Sequence, residues 1–265
     1  MIKNADSVSS LILSAFLLLT CVVSVHAQDP SPEFIENKGQ WPAQVAYKLR
    51  VANANVYFEQ DQLTFDFLRV NRSHDDAHDH GHLTEGSFAY NVDFVDCNPD
   101  AEITAKETHT SISNYFLGSD PTKWASSVRS FKQVVYENLY DGIDLHYYGK
   151  NGHLKYDVII QPNTDHTQFK MKFNGVEDIS TEDGQLHVVN PLNAVTETIP
   201  VAYQIIDGEK VFVDCEYKLV GNEVSFDLPN GYDNSFELVI DPMLIFASYS
   251  GSTANNFGFT ATYDN

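Results

Sequence analysis

The stretch Ile143-Asp144-Leu145-His146-Tyr147-Tyr148-Gly149-Lys150-Asn151-Gly152-His153-Leu154-Lys155-Tyr156-Asp157-Val158-Ile159-Ile160 decides the fold class. Ile143, Leu145 and Tyr147 alternate with Asp144, His146 and Tyr148, and Leu154, Tyr156, Val158 and Ile160 alternate with His153, Lys155, Asp157 and Ile159. A period of two sends successive side chains to opposite faces of a strand. Between the two runs, Asn151-Gly152 tolerates the positive φ angles of a tight hairpin. The stretch therefore reads as strand, turn, strand.

The same grammar extends outward in both directions. Ile205-Ile206 and Val211-Phe212-Val213 flank Asp207-Gly208, while Tyr217-Lys218-Leu219-Val220 and Val224-Ser225-Phe226 flank Gly221-Asn222. Val56-Tyr57-Phe58 and Leu63-Thr64-Phe65-Asp66-Phe67 flank Glu59-Gln60-Asp61-Gln62, and Ser87 to Phe94 alternates again. Helical spacing is weak everywhere; the segment from Trp124 to Tyr140 comes nearest and could hold a helical turn. Many short strands separated by turn residues predict an all-β, antiparallel, sandwich-like architecture. The β-rich module is expected over residues 28–242, with a possible split into two packed subdomains near 120, where Gly118-Ser119-Asp120-Pro121 is loop chemistry.

The 265 residues carry 37 Asp and Glu against 16 Lys and Arg, a net charge of −21, with 43% hydrophobic and 12% aromatic residues. That apolar content suffices for a packed core and excludes a disordered acidic tail. The charge speaks against nucleic acid and anionic lipid as partners, because both demand clustered cations. Its distribution is even, 16 acids against 6 bases in residues 28–120 and 19 against 9 in residues 121–242, which suits a solubilising surface.

Residues 1–27 read as a secretory signal peptide: Lys3 precedes an apolar run from Leu11 to Val25, and Val25-His26-Ala27 provides the residues a signal peptidase cuts after. Cleavage is expected between Ala27 and Gln28. The run is too short and too interrupted for a membrane span, so the mature protein is expected to be secreted or held at the cell surface without a transmembrane segment. Lipidation at Cys21 is a weaker rival, because Thr20 fits poorly before a lipidated cysteine. In an oxidising compartment the remaining Cys97 and Cys215 could form a disulfide, against the plainer reading as two buried thiols.

Candidate chemistry is thin. Ser73 to His82 gathers His74, His78, His80 and His82 with Asp75, Asp76 and Asp79, a set that could ligate zinc or copper, against the simpler reading as a solvated loop. The acidic stretches Asp29, Glu33, Glu36 and Glu177, Asp178, Glu182, Asp183 match no calcium-loop pattern. No nucleophile elbow, zinc-protease helix, phosphate loop or dinucleotide fingerprint occurs, so no catalytic residue, metal ligand or cofactor site is assigned. Trp41 and Trp124 are candidates for stacking on sugar rings, against ordinary burial in a core.

Several segments taken in order carry a resemblance. They are Phe34-Ile35-Glu36-Asn37-Lys38-Gly39-Gln40-Trp41-Pro42, Asn114-Tyr115-Phe116-Leu117-Gly118-Ser119-Asp120-Pro121-Thr122-Lys123-Trp124, Tyr140 to Gly149, Leu154-Lys155-Tyr156-Asp157 and Leu238-Val239-Ile240-Asp241-Pro242. The set resembles an uncharacterised N-terminal module of large exported bacterial proteins, a domain of unknown function that typically precedes SBBP-type β-propeller repeats and a C-terminal sorting domain. On that resemblance, residues 243–265 are expected to begin an incomplete propeller repeat, and Tyr249 to Gly258 looks like its opening. The resemblance supplies no activity. It implies a non-catalytic extracellular structural or adhesion module whose partners are downstream domains of the same polypeptide and a surface glycan or protein; a carbohydrate-binding or carbohydrate-active module is the alternative.

Overall fold

The computed structural model describes residues 32–51, 54–69, 86–116, 118–150 and 152–248. The expected signal peptide with its expected Ala27–Gln28 cleavage point, the histidine-rich stretch 73–82 and residues 249–265 all lie outside the described residues. In chain order the strands are β1 (Phe34–Glu36), β2 (Tyr47–Val51), β3 (Ala54–Phe58), β4 (Gln62–Arg69), β5 (Gly86–Phe94), β6 (Glu102–Tyr115), β7 (Ala125–Tyr140), β8 (Ile143–Lys150), β9 (His153–Ile160) and β10 (Met171–Asn174). They continue as β11 (Asp178–Glu182), β12 (Gln185–Asn190), β13 (Asn193–Glu197), β14 (Val201–Ile206), β15 (Glu209–Val213), β16 (Glu216–Val220), β17 (Glu223–Asp227), β18 (Leu238–Asp241) and β19 (Met243–Ser248). No α-helix occurs among the described residues, and no helix is long and apolar enough to cross a membrane.

The all-β, antiparallel expectation holds. The ladders run from β16 through β17, β10, β5, β4, β3, β2, β1, β7 and β8 to β9. At β9 the sheet forks: residues 158–160 pair with β18, which leads to β14 and β15, while residues 154–155 pair with β19, which leads to β13, β12 and β11. β6 covers the second edge of β7. Strand β11 returns alongside β16, so the sheet nearly closes on itself.

One apolar cluster fills the enclosed space, drawing Phe34, Phe58, Tyr136, Tyr147, Tyr156, Phe169 and Leu238 from most of these strands. Buried tyrosines satisfy their hydroxyls: Tyr136 donates to the Glu59 carbonyl at 2.8 Å and Tyr140 to the Lys170 carbonyl at 3.0 Å. The decisive hairpin forms as expected, with Ile143, Leu145, Tyr147, Leu154, Tyr156, Val158 and Ile160 turned inward and Lys150 opposite His153. At the preceding turn Gly142 has φ +73°, and a Cβ there would collide with the Thr164 side chain, so the position needs glycine twice over.

One expectation is corrected. Trp124 to Tyr140 holds no helical turn beyond the short 3-10 turn Pro121–Lys123 that precedes it; it is the 16-residue strand β7. Positive φ angles at Ser127 and Asn138 and a register shift between Tyr136 and Tyr140 interrupt its alternation, which hid the period of two. The position near 120 is the turn of the β6–β7 hairpin, and the apolar cluster continues across it. Residues 243–248, the described part of the segment 243–265 expected to begin a propeller repeat, form β19 between β9 and β13.

Candidate functional site

The outer end of the β6–β7 hairpin is the most distinctive surface of the molecule. It is built by the first two segments of the resemblance, brought together because β1 pairs with β7, Phe34 opposite Phe131 and Ile35 opposite Ser130. Asn37 organises the loop that follows β1. Its Nδ2 donates to the carbonyls of Trp41, Pro42 and Val45 at 3.3, 2.9 and 2.8 Å, and its Oδ1 accepts from the amides of Gly39 and Trp41 at 2.9 and 3.2 Å. The loop is tied to β7 by Lys38, whose Nζ donates to the Ser127 carbonyl at 3.0 Å. Glu36 accepts from the Arg129 amide at 2.8 Å and lies 3.4 Å from the Arg129 Nε. Burial alone would raise the Glu36 carboxyl, but the hydrogen bonds and charge of Arg129 hold it below the usual carboxylate range.

This scaffold sets Trp41 edge-on to Tyr115 at 5.6 Å between ring centroids, and Lys48 caps the Trp41 ring at 5.3 Å and the Tyr57 ring at 5.1 Å. Beyond them the chain turns through Pro121–Lys123, whose first orphan amides are served by Asp120: its carboxylate accepts from the Thr122 amide at 3.0 Å and hydroxyl at 2.7 Å. The turn ends at Trp124, whose Nε1 donates to the Gly118 carbonyl at 3.3 Å. Phe116 meets Trp124 perpendicularly, at 5.7 Å and 78°. Phe116 is 59% exposed and Trp124 43%, with Ile112 at 63% on the same hairpin. The result is a corner of two held aromatic rings facing solvent, backed by the half-buried Trp41–Tyr115 pair. Asn37, Asp120 and the Glu36–Arg129 pair are spent on building it, and the ring faces and edges stay open.

The remaining segments of the resemblance meet elsewhere, on the outward side of β8, β9 and β18. Tyr148 donates to Asp157 at 3.0 Å, and the buried Lys155 is ion-paired with Asp241. Burial and the neighbouring Asp241 push the Asp157 carboxyl up to about 6, against the opposing hydrogen bond from Tyr148. This group ties β9 to β18 and offers no open cleft. Among the described residues no three His, Cys, Asp or Glu side chains group to hold a metal ion.

The sequence candidates fall as follows. Trp41 and Trp124 stand at the same end of the molecule, each in a separate ring pair, so the structure joins two residues singled out independently. Phe116 and Tyr115 were missed as site residues, although both sit inside a quoted segment. Cys97 and Cys215 are both free thiols here: Cys97 follows β5 and Cys215 lies between β15 and β16, each packed against the core as a small apolar side chain. Burial raises both thiols, Cys215 to about 12, so neither presents a reactive thiolate. Glu182-Asp183-Gly184 is a tight turn with positive φ at Asp183 and Gly184. Also missed was Glu197, a buried acid at an inward position of β13.

No curated protein and no solved structure matches the chain. A family model described as "Domain of unknown function (DUF7948)" matches residues 34–243, which spans β1 to the first residue of β19 and takes in every strand described between them. On that match, the chain belongs to the DUF7948 family of domains of unknown function.

Proposed function

We propose that the chain is a non-catalytic extracellular module of a secreted or cell-surface bacterial protein, serving structure and adhesion, and that it engages its partner through the aromatic end of the β6–β7 hairpin. The observation that carries this reading is the corner formed by Phe116 and Trp124, exposed to solvent yet held by the Trp124–Gly118 hydrogen bond and the Asp120 cap. Large apolar rings left at the end of a stiff hairpin cost solubility unless something covers them. Rings already fixed in place lose little further entropy on binding.

A surface glycan is the favoured partner. The apolar C–H face of a sugar ring stacks on indole and phenyl faces, and the nearby charges of Glu36, Lys38 and Arg129 are paired with each other. The signal-like leader, the propeller repeats and the sorting domain expected from the resemblance fit the same extracellular setting, with downstream domains of one polypeptide as further partners.

A glycan array probed with the purified protein tests this. Reproducible binding that is lost in Trp124→Ala and Phe116→Ala supports the glycan reading. Binding that survives both substitutions removes the hairpin end from the mechanism. An array without binders would leave adhesion to a protein partner, read by cross-linking from a photoreactive group placed at position 116.

A further inference from the structure

The interior holds a deeply buried acid that neither the hairpin end nor the ion pairs of the surface account for. Glu197, the last residue of β13, is 3% exposed. It points inward because Asn193, Val195 and Glu197 share one face of the strand. Four tyrosines face it from four strands: Tyr90 of β5, Tyr147 of β8, Tyr156 of β9 and Tyr217 of β16. Beside it lies a cavity of about 10 Å³, room for about one water, and its described lining includes no Lys, Arg or His.

The protons around this group do not add up for a carboxylate. Tyr156 donates to Glu197 Oε2 at 2.7 Å. The Tyr217 hydroxyl stands 3.2 Å from the same oxygen and 3.0 Å from the Thr198 carbonyl. A phenol has one proton to give. If Tyr217 gives it to Thr198, its contact with an ionised Glu197 sets oxygen against oxygen with no hydrogen between them. If it gives it to Glu197, the charge remains buried without a cation. A protonated Glu197 resolves every contact at once: Tyr156 donates to Oε2, Oε2 donates to Tyr217, and Tyr217 donates to Thr198.

We infer that Glu197 is held as the neutral acid, and that its proton is the link that fastens β16 to β13 across the gap where the nearly closed sheet lacks a ladder. Among the described strands β16 pairs only with β17, and β11 lies alongside β16 without pairing to it, so side chains close the ring there. Loss of the proton charges the interior and removes the donor to Tyr217, which loosens the closure. The module is thereby most stable in mildly acid surroundings and weakens toward alkaline ones. Burial pushes Glu197 up to about 7, in agreement with the geometry. The sign follows: an acid raised in the folded state above its ordinary value near 4.5 gives stability that is complete below that value and is lost as pH rises through about 7.

Two measurements on the full protein test this. In the first, the carboxyl carbons of ¹³C-labelled glutamate are followed by NMR from pH 4 to 9. One resonance, assigned through its loss in Glu197→Gln, is expected to titrate near neutrality, well above the others. In the second, urea unfolding is compared between the native chain and Glu197→Gln, which keeps the size of the side chain but does not titrate. The native folding equilibrium should fall on the order of a hundredfold more than that of the variant between pH 4.5 and 7. Other groups that titrate in this range, Asp157 among them, cancel in the difference. A Glu197 resonance titrating with the exposed glutamates, or equal slopes in the two proteins, overturns the inference. Should Glu197→Gln fail to fold, Glu197→Asp supplies the NMR assignment and the native titration alone decides.

Discussion

Two regions of this molecule concentrate aromatic side chains and put them to opposite uses. At the end of the β6–β7 hairpin, Trp41, Tyr115, Phe116 and Trp124 meet in perpendicular pairs with their outer faces in water. Inside the sheet, Phe58, Tyr136, Tyr147 and Tyr156 meet with similar spacings, but every ring face is covered and the hydroxyls of Tyr136 and Tyr156 have buried acceptors. In the interior, contacts fix the rings. At the hairpin end, a hydrogen-bonded backbone fixes them, through Asn37, Asp120 and the Trp124 indole nitrogen. Ring chemistry alone therefore does not set the two regions apart; the difference is that the hairpin-end rings are held from behind and left uncovered.

That contrast breaks most readily under truncation. Tyr147→Ala removes a ring in contact with Phe58, Tyr136 and Tyr156, and should cost about 3–5 kcal/mol in urea unfolding. Lys155→Ala strands Asp241 beside the half-buried Asp157 and should cost about 2–3 kcal/mol. Asn37→Ala releases the loop that carries Trp41, at about 1–2 kcal/mol, and should weaken partner binding as well, which separates it from purely interior changes. Asp157→Asn should flatten part of the pH profile. The native Asp157 is raised above its ordinary 3.8 to about 6, so its contribution is whole below 3.8 and is lost as pH rises through 6. Trp124→Ala should move stability by no more than about 0.5 kcal/mol while abolishing partner binding, and a large loss of stability there would show the ring to be structural.

Much of the fold was legible because period-two alternation survives wherever a strand is regular. The β8–β9 hairpin, the Asp207-Gly208 turn with both residues at positive φ, and the Glu182–Gln185 turn are local facts written in local sequence. β7 was not legible, because bulges at Ser127 and Asn138 shift its inward face partway along. The hairpin end was half legible. Trp41 and Trp124 stand out by type, but their meeting place depends on the pairing of Phe34 with Phe131, which no local pattern announces. Glu197 was within reach: it continues the inward row of Asn193 and Val195, and an acid on that row signals a buried carboxyl.

The placement of β19 has a consequence for the order of assembly. Its five residues Leu244–Ser248 pair with Glu197–Asn193, and Met243 and Leu244 pair with β9, so the last described strand is an interior stave. While a chain is still being synthesised, β9 and β13 must wait with open edges until Ser248 arrives. An arrest before that point leaves two adhesive strand edges facing each other across an empty slot, the condition under which neighbouring chains cross-pair. A domain attached after Ser248 would hang from the middle of the sheet, and a pull on it would load β19 along its own ladders, in shear, before any hairpin could peel.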